Sequence, residues 1–296
     1  MKVLVTGGAG FIGGYVCDEL WTRGYEPVVF DRYRRVTTPA ILGDICSSVD
    51  VTEAFAHVDA FIHLAAVLGT QETIDNPTPA AHTNILGGLN VLDAAAQYGV
   101  PGVYIGVGNH WMNNTYSITK TTIERFIDMY NTNRGTCVNI VRAMNAYGPR
   151  QVPASPYGPA KVRKITPSFV CRALRNDDIE IYGDGEQISD MVFVKDVAFA
   201  LVNSMELACG GVKHGPAECG PPFNNTVKEV AELVLQLTGS TSQIKYLPMR
   251  PGEIADSKVR ADTRTLAAIG MKDYLFLSLR AGLVQTIKYF REYLKK

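Results

Sequence analysis

The chain has 296 residues, 46% of them hydrophobic, and its 29 lysines and arginines balance 29 aspartates and glutamates. That length supports one large core with a smaller appendage, and a formal net charge of zero leaves no electrostatic footprint for nucleic acid or an anionic membrane. No apolar run approaches the ~18 residues of a membrane span, and the opening Lys2–Thr6 run is too short for a signal h-region. The six cysteines (Cys17, Cys46, Cys137, Cys171, Cys209, Cys219) show neither Cys-x-x-Cys spacing nor His-rich neighbours. Reduced thiols in a cytoplasmic protein are expected, with no metal site and no disulfide framework.

Taken in chain order, Lys2–Thr6 reads as a buried strand that runs into a glycine turn and a helix over about Gly13–Arg23. Glu26–Phe30, Ala60–Leu64 and Gly102–Ile105 read as further strands, Asn84–Tyr98 and Thr115–Asn133 as helices, and Cys137–Arg142 closes the series. Strands separated by helices imply parallel pairing through right-handed crossovers, so an α/β doubly wound sheet is predicted over residues 1–151. After Tyr147-Gly148-Pro149 the texture changes. Pro153, Pro156 and Pro159 favour a loop. A helix over about Thr166–Arg175, a strand Ile179–Tyr182 and helices near Asp196–Met205, Thr226–Thr238 and Ala281–Leu294 follow. Residues 152–296 are expected to form mainly a smaller α+β lobe for substrate, with about 190–218 packing back on the sheet.

Gly7-Gly8-Ala9-Gly10-Phe11-Ile12-Gly13 joins the first strand to the first helix, the placement of a Rossmann dinucleotide fingerprint. Gly7 permits a tight turn, Gly10 lacks the Cβ that would block a pyrophosphate, and Gly13 permits close helix–strand packing. Phe11 and Ile12 carry the turn into a helix start whose N–H groups face the phosphates. A tight turn without ligand would read the same way in isolation, and Asp31 tips the balance. It stands about twenty residues further on at the end of the second strand, where an acid accepts hydrogen bonds from ribose hydroxyls. The same charge repels a 2′-phosphate, which favours NAD over NADP. Arg32, Arg34 and Arg35 point the other way, either as guanidinium partners for that phosphate or as a solvated basic loop.

The string Val3-Leu4-Val5-Thr6-Gly7-Gly8-Ala9-Gly10-Phe11-Ile12-Gly13 resembles the extended short-chain dehydrogenase/reductase family, the group of nucleotide-sugar epimerases and dehydratases. The resemblance continues in order through Gly43-Asp44-Ile45, His63-Leu64-Ala65-Ala66, Asn84-Ile85-Leu86-Gly87-Gly88-Leu89-Asn90, Tyr116-Ser117-Ile118-Thr119-Lys120 and Arg142-Ala143-Met144-Asn145-Ala146-Tyr147-Gly148-Pro149. Tyr182-Gly183-Asp184-Gly185-Glu186-Gln187, Arg250-Pro251-Gly252-Glu253 and Ala261-Asp262-Thr263 complete it. It implies Asp44 and Ile45 beside the adenine, and Leu64, Ala65 and Ala66 under the nicotinamide riboside. It also implies Asn84 at the cofactor side of the central helix, Tyr116 with Lys120 at the reacting end, and Asn145 and Arg250 on a nucleotide diphosphate. A homodimer through the helices Asn84–Tyr98 and Thr115–Asn133 is implied as well. Thr70 lies after the fourth strand, at the sheet edge where ligands bind, as a sugar contact or as part of a polar loop.

Tyr116 and Lys120, four apart on one helix, face the same way. An ammonium there is expected to lower the tyrosine pKa and make it an acid/base, the alternative being a surface helix pair. The family's mechanism is hydride removal from a sugar carbon by NAD while the tyrosine takes the hydroxyl proton. This chain departs from the pattern, since the Ser/Thr pair usual after the fifth strand is replaced by Ile105-Gly106-Val107-Gly108-Asn109. Asn109, His110, Thr115 and Ser117 are the candidate substitutes. His110 is taken as the catalytic one because it titrates near neutrality, against a plain loop role. The two acids of a dehydratase and the hydroxyl and glutamate of a decarboxylase are likewise missing. A nucleotide-sugar epimerase acting at C4 of a UDP-sugar is the leading expectation. The alternatives are a reductase or dehydrogenase that releases NAD(P)H, a 4,6-dehydratase, and a dinucleotide-binding scaffold or sensor. Ser189 stands where a second diphosphate arginine is usual, and Lys161, Arg163 and Lys164 are available to compensate or form a solvated basic turn.

Overall fold

The alternation in the first half folds as β1 (Lys2–Thr6), α1 (Phe11–Thr22), β2 (Glu26–Asp31), β3 (Ala40–Leu42), α2 (Ser48–Phe55), β4 (Ala60–His63) and α3 (Thr78–Ala81). After a π-turn (His82–Leu86) come α4 (Gly87–Tyr98), β5 (Gly102–Val107), α5 (Thr115–Asn133) and β6 (Val138–Ala143). The second half adds β7 (Asn145–Tyr147), α6 (Ile165–Arg175), β8 (Ile179–Tyr182), β9 (Ile188–Ser189), β10 (Met191–Phe193) and α7 (Val194–Cys209). It ends with β11 (Ala217–Cys219), α8 (Val227–Thr238), β12 (Ile244–Leu247), β13 (Lys258–Val259), a 3₁₀ turn (Thr263–Ile269) and α9 (Leu279–Tyr293). This computed structural model describes residues 1–33, 40–272 and 274–295, so Arg34 and Arg35 lie outside the described residues.

Seven strands form one parallel sheet in the order β11-β6-β5-β4-β1-β2-β3. Both faces are covered, which is why β1 reads as an unbroken apolar run. Alternate residues serve opposite cores: Val3 and Val5 pack with α1 and α7, while Leu4 packs with Phe30, Phe61 and Tyr104 beneath α2, α4 and α5. Each such fully buried side chain stabilises the fold by about 1.5–3 kcal/mol. The chain leaves β1 in one direction for β2 and in the other for β4, and that switch point opens a crevice at the strands' carboxyl ends. A third core of Phe169, Val230, Leu283 and Phe290 joins α6, α8 and α9, and the two-stranded parallel pairs β7–β10, β8–β12 and β9–β13 frame the far side of the crevice.

The structure departs from the sequence reading in specific ways. The helix predicted from Asn84 is α-helical only from Gly87, because the wider π-turn before it carries Asn84 inward onto the Val67 backbone. The helix expected near Asp196–Met205 extends over Val194–Cys209. Strand β8 falls at the predicted Ile179–Tyr182; helix α2 was not foreseen, nor were β3, β7, β9, β10, β11, β12 and β13. All six cysteines are free thiols. Among the described residues no helix is long and apolar enough to cross a membrane.

Candidate active site

A cleft of about 730 Å³ runs along the carboxyl ends of the strands, from the glycine turn at one end to Arg250 at the other. At the first end Gly7 adopts φ +71°, and a Cβ on Gly13 would stand 2.3 Å from the Gly7 carbonyl oxygen. The turn is therefore closed to any side chain at Gly13. Helix α1 starts at Gly10 without a side-chain cap, so its first N–H groups are available to an anion. Asp31 accepts from Ala9 N–H and Tyr33 N–H, each at 3.1 Å. It thus anchors the turn while its remaining lone pairs line the cleft. Arg32 Nη1 stands 3.9 Å from Asp44 Oδ2 on an exposed surface, and Phe11, Ile12, Asp44 and Ile45 complete this wall.

Leu64, Ala65 and Ala66 form the cleft floor. The Thr6 hydroxyl accepts from the N–H groups of Leu64 (3.1 Å) and Ala65 (3.3 Å) and lies 2.6 Å from His63 Nδ1. Burial first, and Lys120 second, push His63 down to about 3, so the ring that shares this hydrogen bond is neutral. Asn84 does not line the cleft. Its amide is used on Val67 N–H (2.7 Å), Val67 O (3.0 Å) and Thr119 Oγ1 (3.0 Å), which ties the floor's exit to α5.

Helix α5 begins at Asn114, whose side chain accepts from Ser117 N–H at 3.0 Å. It delivers Tyr116 and Lys120 into the cleft. Lys120 Nζ lies 4.0 Å from the centre of the Tyr104 ring, and the Tyr104 hydroxyl donates to the Lys120 carbonyl at 3.1 Å. The expected lowering of the tyrosine by the ammonium does not hold in the protein alone. Burial raises Tyr116 above the ordinary tyrosine range and holds Lys120 down to about 7, against the opposing pull of Glu124. One turn on, Glu124 accepts from Arg142 Nη2 at 2.6 Å, and Arg142 Nη1 reaches Glu218 Oε1 at 3.3 Å. This buried network locks α5 to β6 and β11.

The missing hydroxyl pair has no room to return. A Cβ on Gly106 would stand 2.4 Å from Glu124 Oε1 and 2.9 Å from Arg142 Cγ; one on Gly108 would stand 2.3 Å from Met144 Sδ. Of the proposed substitutes, Asn109 lines the cleft and His110 does not. The His110 imidazole faces Glu218, Nε2 to Oε1 3.8 Å, and burial, then Arg142, lowers its pKa. Thr115 donates to the Thr73 carbonyl, and Ser117 is fully buried.

At the second end Thr70 donates to Glu253 Oε1 at 3.2 Å. Arg250 donates to Glu253 through Nε and Nη2, and Arg250 lies 4.9 Å from the centre of the Tyr182 ring. Asn145 Nδ2 donates to Ser189 Oγ at 2.5 Å. Lys164, at the start of α6, provides no side-chain cap. Thr166 on that first turn is buried, and its hydroxyl has no protein partner while its residue lines the cleft. An uncapped helix start with a free buried hydroxyl suits an anion. Arg163 is spent on Glu180 (2.7 Å) and the Tyr182 hydroxyl (3.0 Å), and Lys161 is outside the lining. Sequence reasoning missed Thr166 and Glu253; Pro167 close behind the helix start and the acid of Arg250-Pro251-Gly252-Glu253 were the available signals. Among the described residues no group of three or more His, Cys, Asp or Glu side chains could hold a metal ion.

Residues 3–214 match the family model described as the NAD dependent epimerase/dehydratase family. The chain is 28% identical to a UDP-N-acetyl-alpha-D-glucosaminuronate decarboxylase of Bacillus cytotoxicus, over 98% of both chains. It superposes on the crystal structure of a UDP-glucose 4-epimerase of Thermotoga maritima with UDP-glucose at a TM-score of 0.87, with 28% identity, covering 99% of this chain and 100% of that one. A UDP-glucose 4-epimerase of Thermus thermophilus in complex with NAD gives a TM-score of 0.85 and 27% identity, covering 98% and 99%.

Proposed function

The chain belongs to the NAD-dependent epimerase/dehydratase family, and on that premise we propose that it epimerises a nucleotide-diphosphate sugar, at C4 of a UDP-sugar, while retaining NAD as a recycled hydride store. One observation carries the reading: the cleft joins a dinucleotide cradle to Tyr116 and Lys120 with no carboxyl group at 105–109. Dehydration and decarboxylation draw on such a group; inversion through a ketone does not.

The glycine turn and the start of α1 receive the pyrophosphate, Asp31 the ribose hydroxyls, and Asp44 and Ile45 the adenine side. Leu64, Ala65 and Ala66 support the nicotinamide riboside, and Asn84 props that floor from behind. When bound, the oxidised nicotinamide supplies a hydride acceptor at the sugar carbon. Tyr116 takes the hydroxyl proton and later returns it. Lys120, held down to about 7 by burial, adjusts the charge beside it. Asn145, Arg250 and the start of α6 hold the diphosphate, and Thr70 faces the sugar. Leu86, Ile118 and Met129 are apolar and exposed on the outer side of the α4–α5 layer, which supports a homodimer through that layer; sedimentation as a monomer at micromolar concentration would remove it.

The test is to incubate the NAD-loaded protein with UDP-, dTDP-, GDP- and CDP-sugars and follow the products by NMR. Inversion at one carbon without net reduced nicotinamide is expected. Net accumulation of reduced cofactor would instead identify a dehydrogenase, and loss of carbon dioxide a decarboxylase. If Tyr116→Phe leaves every activity intact, the chemistry assigned to the cleft is wrong.

A further inference from the structure

We propose that Asn109 is a catalytic residue, its side-chain amide donating from Nδ2 to the sugar oxygen that Tyr116 deprotonates. This rests on the epimerase reading and adds to it the donor that takes over from the absent hydroxyl. Residues 105–109, the last three of β5 and the two that follow it, line the cleft, and Asn109 carries their only polar side chain.

Elimination narrows the choice. Thr115 and Thr119 spend their hydroxyl protons on the carbonyls of Thr73 and Tyr116, Ser117 is sealed off, and His110 faces Glu218 away from the lining. Asn145 is paired with Ser189, and Thr70 with Glu253. Asn109 differs from all of these. Its backbone is fixed, because its carbonyl accepts from Met112 N–H at 2.9 Å. Its amide, in contrast, has only the Met112 thioether as partner, at 3.5 Å, and a thioether is a weak acceptor. A half-buried amide with a fixed origin and a weak partner is poised to exchange that sulfur for an oxygen.

When bound, the oxidised nicotinamide would supply the acceptor for the hydrogen and the electron pair of the substrate's C–H bond. The O–H proton passes to Tyr116 in its phenolate form, which the neighbouring Lys120 ammonium favours against the effect of burial, and the C–O bond becomes C=O. The Asn109 N–H stays on nitrogen throughout and strengthens its bond to the oxygen while charge develops there. A serine can relay a proton, but an amide cannot. Proton transfer therefore runs directly between sugar and Tyr116, with Asn109 as the polariser.

The experiment uses the NAD-loaded 296-residue chain and the variants Asn109→Ala and Asn109→Asp. Removing one such donor lowers kcat by about 10²-fold, with KM expected within a few-fold of wild type. Independently of turnover, calorimetric affinity for UDP-glucose should weaken by about fivefold in Asn109→Ala, as for loss of one hydrogen bond, while affinity for UDP stays unchanged. Asn109→Asp should lose activity progressively as pH rises and its carboxyl ionises against the developing oxyanion. An Asn109→Ala protein with wild-type kcat, or one that loses UDP-glucose and UDP affinity equally, overturns the inference alone. A wild-type protein that converts no nucleotide sugar overturns the epimerase reading and the inference with it.

Discussion

Gly108→Ser puts a hydroxyl back on the cleft wall that Tyr116 shares, and the packing predicts that the protein resists it. A Cβ at that position stands 2.3 Å from Met144 Sδ, 3.1 Å from Met144 Cα and 3.3 Å from Met144 Cε. Ordinary heavy-atom contact is about 3.5–4.0 Å, so the sulfur must retreat by roughly 1.2–1.7 Å. Met144 is 6% exposed, and it also fills the space beside Gly220, where a Cβ would stand 2.8 Å from Met144 Cγ. Overpacking of this kind costs about 1–3 kcal/mol. Met144→Ala alone leaves a hole and costs about 2–5 kcal/mol. In the double variant the serine fills part of that hole, so the combined loss should fall short of the sum by about 1–2 kcal/mol. Urea unfolding of the four proteins measures all three quantities. A Gly108→Ser protein within about 0.5 kcal/mol of wild type, or a double variant additive to the same margin, would falsify the claim that Met144 occupies the hydroxyl's place.

Three further outcomes follow from the same geometry. Burial holds Lys120 down to about 7 from its ordinary 10.5, so folding favours the neutral amine. The penalty is absent above pH 10.5, grows as pH falls and is complete below about 7. Lys120→Met should therefore gain stability over wild type increasingly from pH 10 towards pH 7, and a difference independent of pH refutes the assignment. Glu124→Gln uncouples Arg142, with side-chain exposures of 16% and 6% for the pair. The loss should sit near the low end of ~3–5 kcal/mol because Glu218 still faces the guanidinium; less than about 1 kcal/mol in urea unfolding contradicts the buried-network account. Asp31→Ser removes the charge and loosens the glycine turn held through Ala9. Fluorescence titration should show weaker NAD binding and at least about a tenfold shift in the NAD/NADP ratio, one unit of ~1.4 kcal/mol. An unchanged ratio would remove Asp31 as the discriminator.

The parts of the fold that were legible in the sequence are those whose signal is local. β1 and the glycine turn read correctly because a strand buried on both faces must be apolar throughout and the turn must be free of Cβ atoms. Helix α5 matched from Thr115 to Asn133 because Asn114 is a strong cap and the apolar positions repeat at helical spacing. Helix α2 carried an overlooked signal, Ser47 capping the N–H of Asp50. Strand β3 carried almost none, with Ile41 and Leu42 exposed on a three-residue edge. The two- and three-residue pairs in the second half depend on contacts between distant segments, which no window along the chain contains. The site divided along the same line. The spacing of Tyr116 and Lys120 was readable, whereas the sign of their pKa shifts was not. Burial dominates both groups and depends on everything packed above them. His110 and Asn109 are neighbours in sequence, and only the turn between β5 and α5 decides that one meets the cleft and the other meets Glu218.

Arg250 enters the cleft with a counter-ion of its own. Because Glu253 already neutralises it, and Thr70 holds Glu253 in turn, an incoming anion gains nothing from the guanidinium until it displaces a carboxylate that is covalently tethered three residues away. The exchange works as a threshold. A singly charged ligand merely replaces one negative partner with another, while a ligand bearing two adjacent charges can outbid the tether and still reach the start of α6. Discrimination between mono- and dianionic ligands should accordingly be steeper than an unpaired arginine would give. Because the exchange swaps one ion pair for another, binding at this end should also depend less on ionic strength than the number of charges involved would suggest.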